Sequence, residues 1–352
     1  MKRALLVVAF AGYAWAQSEL LSLAYSHNHE LKALESELSA LEKEVDLSKI
    51  WENPTLNLGV NDIFLREPLI RNQEAQNEAI SLSQKIPLGG KLDIKESIAL
   101  QDVAIKKLEL QTKKLEMQQE IATLEQTYVR ITQDLALVAK YEKILEDLKN
   151  AHLAYNTTSA HYVDTLNNTI LQKNLSIEKK TLLKEKASLE RKLESILATS
   201  MPEWHAKEGL LSYGLSDEEK RLEKAPKLQL QNLQSTKELL NLRYEKATKI
   251  PDVTISLGYN RRQGRDDYAF LGFEIPLPIY GKENLSIQKA KLTHSASEQS
   301  VLNTQKQLLF ELKDELLNKE LQYDKIALSK EVLYENEKMY EVLQSTALSQ
   351  ND

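Results

Sequence analysis

The chain has 352 residues, enough for two or three ordinary domains, yet 28% are charged and only 6% aromatic, the bias of long helices packed along seams rather than of globules. The net charge of −6 is mild, with acids and bases interleaved, which excludes a nucleic-acid footprint and a polybasic membrane patch. The lack of cysteine excludes a disulfide framework, a thiolate metal site and a lipid acceptor at a mature N-terminus.

Residues 1–16, MKRALLVVAFAGYAWA, place Lys2 and Arg3 before an apolar stretch and an Ala-Trp-Ala end, the order of a secretory signal peptide. No other segment approaches the roughly 20 apolar residues of a membrane-spanning helix. A first helix follows, with Leu31, Leu34, Leu38, Leu41 and Val45 at 3/4 spacing. Two strands are expected next, at about 54–64 and 79–87, alternating apolar and polar residues with period two. Leu56, Leu58 and Val60 alternate with Asn57, Gly59 and Asn61, and Ile80, Leu82 and Ile86 with Ser81, Ser83 and Lys85.

From Lys91 to Met201 the chain contains neither glycine nor proline. Ile121, Leu124, Tyr128, Ile131, Leu135, Val138, Tyr141, Leu145 and Leu148 keep the 3/4 spacing of a coiled-coil seam. Residues 91–150 as helix extend about 90 Å, wider than a compact domain. A lone seam has nothing to bury against, so a fold-back is expected in the Asn-, Thr- and Ser-rich stretch 154–168, its tip near 155–160. Residues 202–217 read as a linker.

Residues 218–352 then repeat the plan of 17–201. A third strand sets Val253, Ile255, Leu257 and Tyr259 against Thr254, Ser256, Gly258 and Asn260, and a fourth sets Ala269, Leu271, Phe273 and Ile275 against Tyr268, Gly272 and Glu274. Ile86-Pro87-Leu88 matches Ile275-Pro276-Leu277, and Gly90-Lys91 matches Gly281-Lys282. Each strand is expected to reach the 9–11 residues or so that a tilted strand needs to cross a bilayer. By the same repeat, the second unit is expected to stop at its tip, some seventy residues past its join, without a return helix. The chain thus reads as a truncated copy whose function is in doubt.

Four amphipathic strands cannot close a barrel, and hydrocarbon does not tolerate open edges, so several chains are expected to share one. Pro87 and Pro276 remove a ladder donor, and Gly89, Gly90 and Gly281 permit the bend from strand to helix. Asn57, Ser81, Lys85, Thr254 and Glu274 are expected to face a wet lumen. Ordinary strand alternation would give the same polarity without a role in selectivity. No catalytic constellation is expected: the six histidines are scattered, and His27 and His29, two apart on a helix, do not face each other. No cofactor or metal site is expected, and no enzyme.

Taken in order, the leader, helix, paired strands, IPLGGK join, long helical hairpin and second copy resemble the TolC-type outer-membrane efflux proteins over residues 17–352. The join is similar to that of their cation-efflux, CzcC-like branch. The resemblance implies a mainly α protein with a small antiparallel β part, a homotrimer that pools twelve strands in a β-barrel in outer-membrane lipid, and coiled-coil hairpins forming an α-barrel in the periplasm of a Gram-negative bacterium. It implies a passive duct for small molecules or metal ions, served by a periplasmic adaptor and driven by an inner-membrane pump. Tyr155, His161 and Asp164 lie near where the family constricts its tunnel and meets the adaptor; their plainer reading is solvated turn residues. The sequence departs from the family at His27-Asn28-His29-Glu30-Leu31, where relatives often carry Asn-Pro-x-Leu, and at Asn156-Thr157, where a glycine is common. A different class of reading is a soluble periplasmic coiled-coil adaptor or structural protein, which would not need four strands of membrane-crossing length.

Overall fold

The computed structural model describes residues 19–61, 77–154, 159–200, 222–262 and 264–349. Residues 1–16, the tip residue Tyr155 and the linker 202–217 lie outside them. In chain order the elements are α1 (Glu19–His27), α2 (His29–Ser48), β1 (Thr55–Asn61), β2 (Asn77–Ile86), α3 (Lys91–Ala154), α4 (Ser159–Leu197), α5 (Pro226–Ala247), β3 (Val253–Arg262), β4 (Tyr268–Glu274) and α6 (Lys282–Ser349). At 1.5 Å per residue, α3 and α6 are each about 100 Å long. None of the described helices is long and apolar enough to cross a membrane.

Local chemistry sets the helix starts. The Asn28 side chain accepts hydrogen bonds from the Glu30 N–H at 2.9 Å and the Leu31 N–H at 3.1 Å, filling two of the donors that a helix start leaves open. Its Nδ2 donates to the Ile196 carbonyl at 2.8 Å, tying α2 to the end of α4. In the second unit Ala225 caps without its side chain, and Pro226 opens the helix, a position whose missing N–H costs nothing. Thus the motif that departs from the family at His27–Leu31 is a competent helix start by different means.

The helices pair antiparallel. Leu124, Ile131 and Val138 of α3, seven residues apart, are buried against Leu182, Leu189 and Leu193 of α4, as a period near 3.5 requires. At the other end of this pair Leu20, Leu21, Ala24, Leu31, Met117, Ile121 and Leu197 form a second cluster. α2 lies along α3 with ion pairs as rungs, among them Glu30–Lys113 at 2.7 Å, Glu37–Lys106 at 3.1 Å and Glu42–Lys107 at 3.2 Å. In the second unit, α5 lies on α6 through Ala225, Leu228 and Leu308. It also meets α3, where Lys237 pairs with Asp102 at 2.6 Å and the Gln101 amide donates to the Leu233 carbonyl at 2.8 Å. From 320 to 339 every described side chain of α6 is exposed.

The strands form one antiparallel sheet in the order β1-β2-β3-β4. β2 and β3 have ten residues each, and β1 and β4 seven. The flanking strands thus fall short of the expected length over the described residues: β4 pairs only as far as Glu274 opposite Thr254, and residues 62–64 of the expected first strand lie outside them. The central pair joins the two units, with Asn77 opposite Arg262 and Ile86 opposite Val253.

Candidate functional site

Two features of this fold carry chemistry: the faces of the sheet, and the junction where strands become helices. The register aligns Leu56, Leu82, Leu257 and Leu271 in one row and Leu58, Ile80, Tyr259 and Ala269 in the next. Side chains alternate across a strand, so these rows share one face. No described residue covers it: Leu58 is 71% and Leu271 62% exposed. A monomer that leaves such a contiguous apolar surface open marks it as a contact surface.

The opposite face carries every residue expected to line a lumen. Asn57 pairs with Ser81, and Lys85, Thr254 and Glu274 lie opposite one another in a row at the helix end of the sheet. Ser83 and Ser256 share a hydroxyl hydrogen bond of 2.9 Å across the central pair. One residue breaks the small, polar pattern: Phe270 sits on this face, in the row of Asn57 and Ser81. Its ring covers Gly258, where an added Cβ would lie 2.2 Å from the ring edge. The glycine removes the side chain that would otherwise stand there, and the aromatic fills the gap.

At the junction, β2 stops at Ile86 before Pro87, and β4 at Glu274 just short of Ile275-Pro276. Gly89 and Gly90 adopt φ of 73° and 68°, and Gly281 one of 71°, the left-handed region open to glycine without a Cβ penalty. The first join then locks onto the second unit. Lys91, a buried cation, donates to the Ile250 carbonyl and pairs with Asp252 Oδ1, both at 2.6 Å. Asp252 Oδ1 also accepts from the Leu88 N–H at 3.1 Å, and Lys85 stands 3.7 Å from Oδ2 while bonding Glu52 at 2.8 Å. Burial works against the Asp252 charge, but the Lys91 bond, the Leu88 N–H and the two cations outweigh it and hold the carboxyl below its ordinary value near 3.8. A cleft of about 410 Å³ opens beside this cluster, lined by Trp51, Lys85, Pro87, Lys91, Tyr244 and Asp252 among others.

The junction residues Pro87, Gly89, Gly90, Pro276 and Gly281 therefore sit where the chain turns, but Lys91 and Asp252, which hold the turn, escape sequence reading. Their only signal was that a lysine follows the glycine in both joins. His161 lies in the first turn of α4 and Asp164 in the second; residues 155–158, which carry the expected tip, lie outside the described residues.

No protein-family model and no curated protein matches the chain. Solved structures do. A membrane protein from Pseudomonas aeruginosa aligns with a TM-score of 0.69 at 15% identity, covering 84% of this chain and 75% of that one. CusC, solved in a study of folding and transmembrane channel formation, aligns at 0.68 and 13% identity over 88% of this chain and 77% of that one. The open state of the MtrE outer membrane channel of Neisseria gonorrhoeae aligns at 0.66 and 15% identity, over 84% and 70%. At such identities the likeness is one of fold: mainly helical, with a small antiparallel sheet, the architecture of these outer-membrane channels.

Proposed function

We propose that the chain is the outer-membrane channel component of a tripartite efflux system, a passive duct that carries small molecules or metal ions from periplasm to exterior. The observation that carries this reading is the bare sheet: among the described residues, four strands share an exposed apolar face, and β1 and β4 leave their outer edges unpaired. Both demands are met at once when copies pool their strands into a closed cylinder with lipid outside and water inside. β1 and β4 run antiparallel to each other across the four-stranded meander, so β4 of one copy can continue into β1 of the next without breaking the alternation. Three copies of residues 17–352, each contributing the repeats 17–201 and 218–352, give the twelve strands the family resemblance implies.

The polar face then lines the pore, with Asn57, Ser81, Lys85, Thr254 and Glu274 in contact with water. The α3–α4 pair and α6 form the wall of a periplasmic tunnel, and Tyr155, His161 and Asp164 near the hairpin tip meet the adaptor. The chain does no chemistry, and a partner pump in the inner membrane supplies the energy. Fractionation tests the reading: the full chain is expected in the outer membrane as a detergent-dependent, heat-resistant oligomer. A freely soluble monomer in the periplasm would sink it.

A further inference from the structure

One side chain on the polar face of the sheet is only half explained by packing. Tyr268, Phe270, Gly272 and Glu274 of β4 share that face. The Phe270 ring lies down across the neighbouring strand: a Cβ on Gly258 would stand 2.6 Å from its Cζ and 3.0 Å from its Cδ1, and a Cβ on Gly272 would stand 3.9 Å from its other edge. An aromatic laid over a cross-strand glycine stabilises a sheet, which accounts for the underside of the ring. It does not account for the other side. Phe270 remains 37% exposed, and its surroundings on this face are small: Ser81, Ser256, Gly258 and Gly272.

Two further observations give that open side a chemistry. Two residues away on the same strand, the Tyr268 ring already holds a cation, the Arg262 guanidinium at 4.8 Å from its centroid. Arg262 is fixed there by hydrogen bonds of 3.0 and 2.8 Å to the Asp266 carbonyl. Phe270 has no such cation among the described residues. In the other direction, past Gly272, the Glu274 side chain is exposed and has no ion-pair or hydrogen-bond partner among the described residues. It lies about 13 Å along the strand from Phe270. Lys85, the cation in its row, is already engaged by Glu52 at 2.8 Å and Asp252 at 3.7 Å.

We propose that Phe270 and Glu274 form a stacking site for planar aromatic cations on the pore wall. The exposed side of the ring takes the flat body of the solute, whose spread positive charge its π face attracts, and the unpaired Glu274 carboxylate draws the cation toward it. The glycine between them leaves the path along the wall clear. This rests on the channel reading and narrows the small molecules of that reading to one class. In the closed cylinder the strand beside β4 is β1 of the next copy, which brings only Thr55, Asn57, Gly59 and Asn61 to the polar face, none bulky enough to cover the ring. A site this open holds a solute weakly, as a conduit requires: entry is favoured and exit is not barred.

Single-channel recording from the full chain, extracted from the outer membrane and placed in planar bilayers, tests the site with N-methylquinolinium as the probe. Brief interruptions of the current are expected with this cation. Far fewer are expected with equal concentrations of tetramethylammonium, which has no ring, or naphthalenesulfonate, which has the opposite charge. Measured against each variant's own open current, the half-blocking concentration is expected to rise about fivefold in Phe270→Leu and to return in Phe270→Trp. In Glu274→Gln it is expected to rise about threefold, with block then less dependent on the sign of the probe. A ring that only covers Gly258 would lower the stability of Phe270→Leu without changing block. Glu274→Gln, which removes no contact among the described residues, gives the answer if Phe270→Leu fails to assemble. Channels that the probe blocks no better than tetramethylammonium, or blocks equally in parent and variants, overturn the site and leave the channel reading standing. A chain that forms no channels overturns both.

Discussion

Both units of the fold meet on the Asp252 carboxylate. Its partners Lys91 and Leu88 come from the first join, and hydrogen bonds to a charged group contribute about 1.5–3 kcal/mol each before the cost of ordering them. The folded carboxyl titrates below its ordinary value, so its contribution is complete above that value and declines as pH falls through the folded one. Asp252→Asn is therefore expected to lower stability at pH 7 by about 1–3 kcal/mol while leaving less of it to lose on acidification. Thermal unfolding at pH 7 and pH 3 checks this: a variant that loses as much on acidification as the parent would contradict the assignment. None of this was legible beforehand, since Lys91 and Asp252 are brought together by a fold-back that only the assembled sheet determines. Phe270 was missed for a related reason. Period-two reading assigns it to the polar face and then has no place for it, until Gly258 on the neighbouring strand is known to lie underneath.

Single elements were far more readable. The strand faces follow from alternation alone, and the register gathers Leu56, Leu82, Leu257 and Leu271 as period two demands. The α3 seam is also local information, although its fully buried positions lie between Ile121 and Val138; Tyr141 and Leu148 further on are exposed. Helix starts were harder, because a cap is a side-chain geometry rather than a pattern. Asn28 looks like a departure between two histidines and proves to be the residue that starts α2 and fastens it to α4. Asn28→Ala is expected to cost about 1 kcal/mol, and faster amide exchange at Glu30 and Leu31, with the strands unaffected, is the signature to measure.

For the whole molecule, the decisive property is that the apolar face of the sheet is exposed among the described residues. The proposed channel wall would account for that distribution, and under it the two sides of one strand are unequal. Leu257→Arg, on the bare face, is expected to cost about 2–4 kcal/mol if the site lies near the bilayer midplane. Ser81→Arg, on the polar face of the neighbouring strand, is expected to leave stability nearly unchanged and to alter conductance instead. Urea titration of the chain refolded into lipid vesicles, with single-channel recording, separates the two; equal destabilisation by both would argue against lipid on one side and water on the other.

The central strand pairing has a temporal consequence. Asn77 must find Arg262 across nearly the whole length of α3, α4 and α5, and contacts of such long reach form slowly. The α2–α3, α3–α4 and α5–α6 pairs join elements close in the chain, whereas a lone β1–β2 hairpin is marginal in water. A newly made chain is therefore expected to condense its rods first and to carry its hydrophobic ribbons unpaired until the last moment, when insertion and zipping become a single event and a chaperone's grip on those ribbons decides how many molecules arrive.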